Sequence, residues 1–292
     1  MKREDGEHRP RFNGIAHWVK VEGSSHGTVP LFILHGGPGG NHYTFERTAG
    51  RLLARSRTVV YYVQRGCGRS EAPASEEDYS ISLLTQDFLE LISWLGAEKV
   101  DLLGYSFGGE LALEFASSLG ERIHTIILSG PSLIKSDTNK LVQLAGFLSV
   151  ADRHLAERIR RILNDPHSIS EAYDKVWEIA DAHTVDSLLF EDQEIAKKNR
   201  ALWDESGLIN TGLMARAVTR DPALPLQHRL RGILHRTLII TGAFDRNTGI
   251  PISKIIHDAL PDSRLVIFNK SAHFPDLEET DRFIREIINF LD

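Results

Sequence analysis

The chain has 292 residues, and its 40 aspartates and glutamates outnumber its 34 lysines and arginines to give a formal net charge of −6. Both signs are interspersed, which leaves no basic footprint for nucleic acid, and a single cysteine, Cys67, excludes an intrachain disulfide and fits a reducing compartment. The polar stretch from Met1 to Arg11 has no apolar signal-peptide core and no later run is long and apolar enough to cross a bilayer, so a cytoplasmic protein without membrane partners is expected.

This length lies near the upper end of one domain, so one domain carrying an insertion is the natural expectation. Before Pro30 an antiparallel hairpin is expected, with Ala16 to Val21 as one strand. Short apolar runs then alternate with amphipathic ones. Pro30 to Leu34, Thr58 to Val63, Val100 to Leu103 and Ile123 to Leu128 read as buried parallel strands, and Leu83 to Leu95 and Leu111 to Leu119 as crossover helices. After Pro131 the strand signals stop. Helix punctuation replaces them: Asp152 ahead of an Arg-rich amphipathic run, Pro166 as a stop, and Ser168-Ile169-Ser170-Glu171 as a capping box. The alternation resumes with Thr237 to Gly242 and Leu265 to Phe268 and closes with an amphipathic helix from Asp276 to Leu291. The pattern predicts an α/β fold: a mostly parallel, doubly wound sheet built from residues 1–131 and 233–292, with a helical lid at 132–232.

Gly104-Tyr105-Ser106-Phe107-Gly108 carries the strongest chemical signal. It joins a predicted strand to a predicted helix, the setting in which G-x-S-x-G becomes a nucleophile elbow. There the serine occupies a strained turn, and glycines two residues away on each side let the neighbouring backbone pass closely. A serine hydroxyl needs a base within hydrogen-bond reach, and that base needs a partner to fix its tautomer. In open α/β sheets such residues gather at the carboxyl ends of strands. Asp245 follows the strand ending at Gly242 and His273 follows the one ending near Phe268, so these two are the candidate acid and base for Ser106. Asp262 comes before its strand and His257 inside a predicted helix, which makes them poorer candidates.

His35-Gly36-Gly37-Pro38-Gly39-Gly40 follows the first buried strand and can offer backbone N–H groups to an oxyanion; those of Gly37 and Phe107 are the expected pair. The stretch lacks both the Lys-Ser/Thr ending of a phosphate loop and G-x-G-x-x-G spacing, and the scattered histidines include no H-E-x-x-H. No nucleotide, metal or other cofactor is therefore expected.

His35-Gly36-Gly37-Pro38-Gly39, Gln64-Arg65-Gly66-Cys67-Gly68-Arg69-Ser70 and Gly104-Tyr105-Ser106-Phe107-Gly108-Gly109 together resemble proline iminopeptidases and related aminopeptidases of the α/β-hydrolase fold. The chain order Ser106, Asp245, His273 is that of triads in this fold. One departure is Val63, where the family usually has an aspartate two residues before the arginine, an acid that orders the loop. In the family, acidic lid residues bind the free amino terminus of the substrate. One lies in a Trp-Glu pair that Trp177-Glu178 resembles, and Glu205 in Trp203-Asp204-Glu205 is the second candidate. The lid itself matches least.

The expectation is a serine hydrolase that forms an acyl-enzyme on Ser106 and acts on small peptides or amino acid amides. An ester, lactone or other small acyl substrate is the alternative, because pocket specificity resides in the lid. A ligand-binding protein on the same fold is the third reading. Carboxylates beside the nucleophile would favour the first, since a buried ammonium group needs a counter-charge, and an apolar lid the second.

Overall fold

The computed structural model describes residues 4–208, 212–220 and 224–292. The chain enters through β1 (Gly6–His8), the two-residue strands β2 (Arg11–Phe12) and β3 (Ile15–Ala16), and β4 (Val19–Glu22). There follow β5 (Leu31–Leu34), the helical turns α1 (Tyr43–Phe45) and α2 (Arg51–Leu53), β6 (Val59–Tyr62), α3 (Ile81–Leu95), β7 (Val100–Tyr105), α4 (Phe107–Leu119) and β8 (Ile123–Ser129). A helical stretch comes next: α5 (Asp137–Val150), α6 (Arg153–Asn164), α7 (Ile169–Ile179), α8 (Ala182–Leu189), α9 (Gln193–Ser206) and α10 (Leu213–Arg220). The chain closes with β9 (Thr237–Gly242), α11 (Gly249–Ala259), β10 (Ser263–Phe268), α12 (Pro275–Glu278) and α13 (Thr280–Leu291).

Eight strands form one sheet in the order β1-β4-β6-β5-β7-β8-β9-β10. From β6 to β10 every neighbour is parallel, and β4 alone runs the other way, antiparallel to both of its neighbours β1 and β6. Leu31 to Leu34 and Val59 to Tyr62 are buried at every position. Continuous rather than alternating burial is what a strand covered on both faces requires, and helices supply that cover. A second apolar cluster, including Leu144, Phe147, Ile159, Val176 and Leu188, lies among α5 to α8.

The helix punctuation read from the sequence is realised in the caps. Asp152 accepts from the Leu155 N–H at the start of α6, and Ser168 and Glu171 form a reciprocal box at α7; the structure adds a cap at α3, where Ser80 accepts from the Leu83 N–H. Two elements differ from expectation. The strand expected from Ala16 to Val21 is broken at His17 and Trp18: Ala16 ends β3, which pairs with β2 across a turn with positive φ at Asn13 and Gly14, and the His17 N–H donates to Pro10 O at 2.8 Å. Trp18 turns its N–H to Ser70 Oγ at 2.9 Å, and β4 begins only at Val19 to join the main sheet. The final helix is likewise split at Glu279, whose carboxylate leaves the helix to accept from the Lys270 N–H at 3.0 Å and the Ser271 hydroxyl at 2.6 Å.

The loop after β6 is held by a buried ion pair. Arg65 donates to Asp87 of α3 through Nε at 2.6 Å and Nη2 at 2.8 Å, and Asn13 adds a third hydrogen bond at 2.8 Å. Burial alone would raise the Asp87 carboxyl; the donors of His17, Arg65 and Asn13 outweigh it and hold the group below its ordinary value. Where Val63 stands in place of the usual aspartate, the carboxylate that orders this loop thus comes from α3. Asp87→Ala would leave Arg65 buried and unpaired, so denaturant unfolding should show a loss of about 3–5 kcal/mol. A loss under about 1 kcal/mol would show that the pair does not hold the loop.

Candidate active site

Ser106 sits between β7 and α4 with φ 55 and ψ −124, a conformation that a non-glycine residue keeps only when its surroundings impose it. Those surroundings are backbone. Ser106 N–H donates to Ser129 O at 2.9 Å, and its carbonyl accepts from the N–H of Gly109 at 2.9 Å. A methyl group on Gly104 would lie 2.1 Å from the Gly108 carbonyl oxygen, and one on Gly108 would lie 2.0 Å from that of Leu34. Strand β5 and the turn therefore pass with no side chain between them, which delivers Ser106 to the carboxyl edge of the sheet.

The glycine-rich loop packs on the same point. A methyl on Gly36 would come within 3.0 Å of Ser106 Cβ. His35 fixes the loop: Nδ1 donates to Gly36 O at 3.0 Å, Nε2 accepts from the Gln64 N–H at 3.2 Å, and Gln64 Nε2 donates to His35 O at 3.1 Å. Burial drives the imidazole down to about 4, so it stays neutral and can serve as both donor and acceptor. Gly37, with φ 124, lines the cavity that contains Ser106, and Phe107 is the first residue of α4, where backbone N–H groups have no intrahelical partner. Gly37 thus shares the cavity with Ser106, and Phe107 is the residue next to it in the chain.

Asp245 and His273 come together from the ends of β9 and β10. His273 Nδ1 lies 3.0 Å from Asp245 Oδ2, and Asp245 Oδ1 accepts from the N–H groups of Asn247 at 2.9 Å and Thr248 at 3.0 Å. Burial would raise the Asp245 carboxyl, but the imidazole and the backbone donors hold it below its ordinary value. The His273 loop is anchored along its length: His273 N–H donates to Leu189 O at 3.0 Å and Ala272 N–H to Glu278 Oε2 at 2.7 Å. His273 and Ser106 line one cavity of about 280 Å³. Within it, His273 Nε2 lies 3.1 Å from Asn247 Nδ2 and takes its hydrogen bond from that amide rather than from Ser106.

The two acids suggested for substrate binding stand outside the cavity wall. Trp177 lines it, and Glu178, one residue further around α7, is exposed; neighbours in a helix do not share a face. Glu205 is exposed as well, accepting from the Tyr43 hydroxyl at 2.7 Å and lying 4.0 Å from Arg47 Nε. The carboxylate that does line the cavity is Asp276. It is buried, its Oδ1 has no hydrogen-bond partner, and burial pushes it up to about 7 although His273 pulls the other way. The helical stretch contributes aromatic, amide and aliphatic side chains to the wall: Gln143 from α5, Tyr173 and Trp177 from α7, Leu189 from α8, and Asn199 and Trp203 from α9. Sequence analysis missed Asp276, Asn247 and Gln143. Only the nearness of Asp276 to His273 in the chain and of Asn247 to Asp245 offered any signal.

Residues 29–280 match the α/β hydrolase fold family. The chain belongs to that family. Its sequence is 24% identical over 288 residues to a proline iminopeptidase from Clostridioides difficile (strain 630), covering 96% of each chain. In structure it is similar to a proline iminopeptidase-related protein from Thermus thermophilus, with a TM-score of 0.81, 21% identity and coverage of 99% and 98%. An esterase from Exiguobacterium antarcticum shares the fold too, at a TM-score of 0.69, 22% identity and 99% coverage of each chain. Among the described residues no helix is long and apolar enough to cross a membrane.

Two outcomes follow from this geometry in the hydrolase. Gly108→Ala forces a methyl against the Leu34 carbonyl, so calorimetry should show a destabilisation of about 3 kcal/mol or more; near-wild-type melting would mean that β5 can yield. Asp276 holds its proton more tightly when folded than when unfolded. Its burden on stability is therefore absent below about pH 4, grows as pH rises, and is complete above about 7, where it is of order 4 kcal/mol. Asp276→Asn should melt above the wild type at pH 8 and lose that advantage by pH 4.5, and a difference independent of pH would refute the assignment.

Proposed function

We propose that this α/β-hydrolase is a serine hydrolase of the aminopeptidase type, which cleaves small peptides or amino acid amides through an acyl-enzyme on Ser106. Ser106 Oγ attacks the substrate carbonyl carbon while its proton passes to His273 Nε2. The tetrahedral oxyanion faces the N–H groups of Gly37 and Phe107, and Asp245 steadies the imidazolium through Nδ1. His273 then gives the proton to the departing amine. A water molecule, deprotonated in turn by His273, attacks the acyl ester and frees Ser106. For the first step Nε2 has to exchange the Asn247 amide for the Ser106 hydroxyl, a tightening of contacts that apo sites of this kind leave to the substrate.

The observation that carries the aminopeptidase reading is a buried carboxylate, Asp276, whose Oδ1 has no hydrogen-bond partner, in the same cavity as Ser106. An ammonium group entering a space walled by Trp177, Trp203 and Phe274 is costly without a counter-charge. Asp276 can supply it. The esterase reading draws on the part of the wall contributed by α7 and α9, which carries aromatic rings and an amide but no carboxylate. The likeness to proline iminopeptidases across nearly the whole chain weighs toward the first.

A substrate panel tests the choice. Wild-type enzyme should hydrolyse amino acid p-nitroanilides with a free α-amino group well above their N-acetylated forms, Ser106→Ala should lose several orders of magnitude in kcat/KM, and Asp276→Asn should erode the preference for the free amine by about tenfold or more. Rapid p-nitrophenyl ester cleavage with no free-amine preference would replace the aminopeptidase by the esterase. An undiminished Ser106→Ala enzyme would end both.

A further inference from the structure

An imidazole nitrogen that accepts has one in-plane lone pair, and on His273 Nε2 that lone pair is taken by Asn247. The Asn247 amide is the last link of a longer chain. Trp177 Nε1 of α7 donates to Gln143 Oε1 of α5 at 2.8 Å, Gln143 Nε2 donates to Asn247 Oδ1, Asn247 Nδ2 donates to His273 Nε2 at 3.1 Å, and His273 Nδ1 donates to Asp245 Oδ2 at 3.0 Å. An indole N–H can only donate. It therefore sets the direction of each amide after it, and the chain ends on a neutral imidazole with its proton on Nδ1. Gln143 and Asn247 are buried, and Trp177 is held edge-on against Phe147 with ring centroids 5.0 Å apart.

We propose that Trp177, Gln143 and Asn247 form a latch that keeps the base away from Ser106 until a substrate enters. This rests on the role of His273 as general base. Once Nε2 takes the Ser106 proton it becomes a donor, and a donor facing the Asn247 N–H is repelled; the latched arrangement is compatible only with a base that has not yet acted. Gln143, Trp177 and Asn247 all line the cavity that Ser106 occupies. A substrate carbonyl or amide placed there competes for the same amide groups, and breaking any link frees Nε2 to turn to the hydroxyl. The three residues are positioning residues that act through His273.

Covalent labelling of the full chain by a small fluorophosphonate reads this directly, because Ser106 Oγ bonds to phosphorus with loss of fluoride while its proton passes to His273. Trp177→Phe removes the donor at the head of the chain, and Gln143→Met removes the middle link at nearly constant length, without widening the cavity. Both should be labelled about three- to tenfold faster than wild type, tenfold being the worth of about 1.4 kcal/mol. Damaged folding would slow labelling, so faster reaction cannot come from a merely structural role, and each variant tests the latch without the other. Rates at or below wild type in both would overturn the latch while leaving the hydrolase reading intact. A folded wild type labelled no more than Ser106→Ala would overturn the nucleophile and the latch together.

Discussion

Backbone passing backbone with nothing between is the constraint on which this molecule depends. At Gly104 and Gly108 the turn that carries Ser106 meets its own helix and the end of β5, and at Gly242 the end of β9 meets the His273 loop, where a methyl would lie 1.9 Å from the Ala272 carbonyl oxygen. Gly130 repeats the pattern beside the imidazole, its missing methyl 3.1 Å from His273 Nδ1. Interiors are packed too densely to absorb a methyl at such distances. The ends of the strands can converge on one point only because these positions carry no side chain, and the strain at Ser106 persists because the contacts around it leave no alternative.

Close packing brings the loops together, and buried polar groups then fix their orientation. Gln64 ties the glycine-rich loop through His35, Asp87 ties the following loop through Arg65, and Glu278 ties the His273 loop by accepting from Ala272 and from the N–H groups of Glu191 and Asp192 near the end of α8. The two carboxylates among them, Asp87 and Glu278, are costly to bury and are tolerated because guanidinium or backbone donors meet them. These anchors matter for chemistry as well as stability. Donors that already point at the place where charge develops need no reorganisation during the reaction.

Features generated within one element were legible in the sequence. The buried strands announced themselves as continuous β-rich runs, the caps at Asp152 and Ser168 followed from residue type at a helix start, and Ser106 was marked by its own turn. Asp245 and His273 could be reached because a strand end constrains where the next few residues lie. What depends on contacts between distant elements was not legible. Gln143 and Trp177 are ordinary members of amphipathic helices until α5 and α7 pack beside the loop after β9. The Trp-Glu resemblance pointed to a turn of α7 on which Trp177 faces the cavity and Glu178 is exposed. Splitting of the last helix at Glu279 was equally hidden, because the bonds that pull that carboxylate out belong to the loop before it.

Asp276 is three residues beyond His273, on the segment that the two glutamates anchor, whereas Gln143 and Trp177 belong to helices between β8 and β9. On the proposed reading the two parts divide the work: the sheet's own loops carry base and counter-charge in fixed relation, and the helical stretch governs when the base is free. The fixed relation has an electrostatic consequence. When His273 becomes an imidazolium, a substrate ammonium in the same cavity is a second positive charge in a medium that screens poorly. An ionised Asp276 near both lets them coexist, and each of them in turn favours its ionisation, although burial alone holds it near neutrality. A neutral group in its place would set the two cations against each other at the moment of proton transfer, so the same carboxylate that selects the amine also makes its presence tolerable to the base.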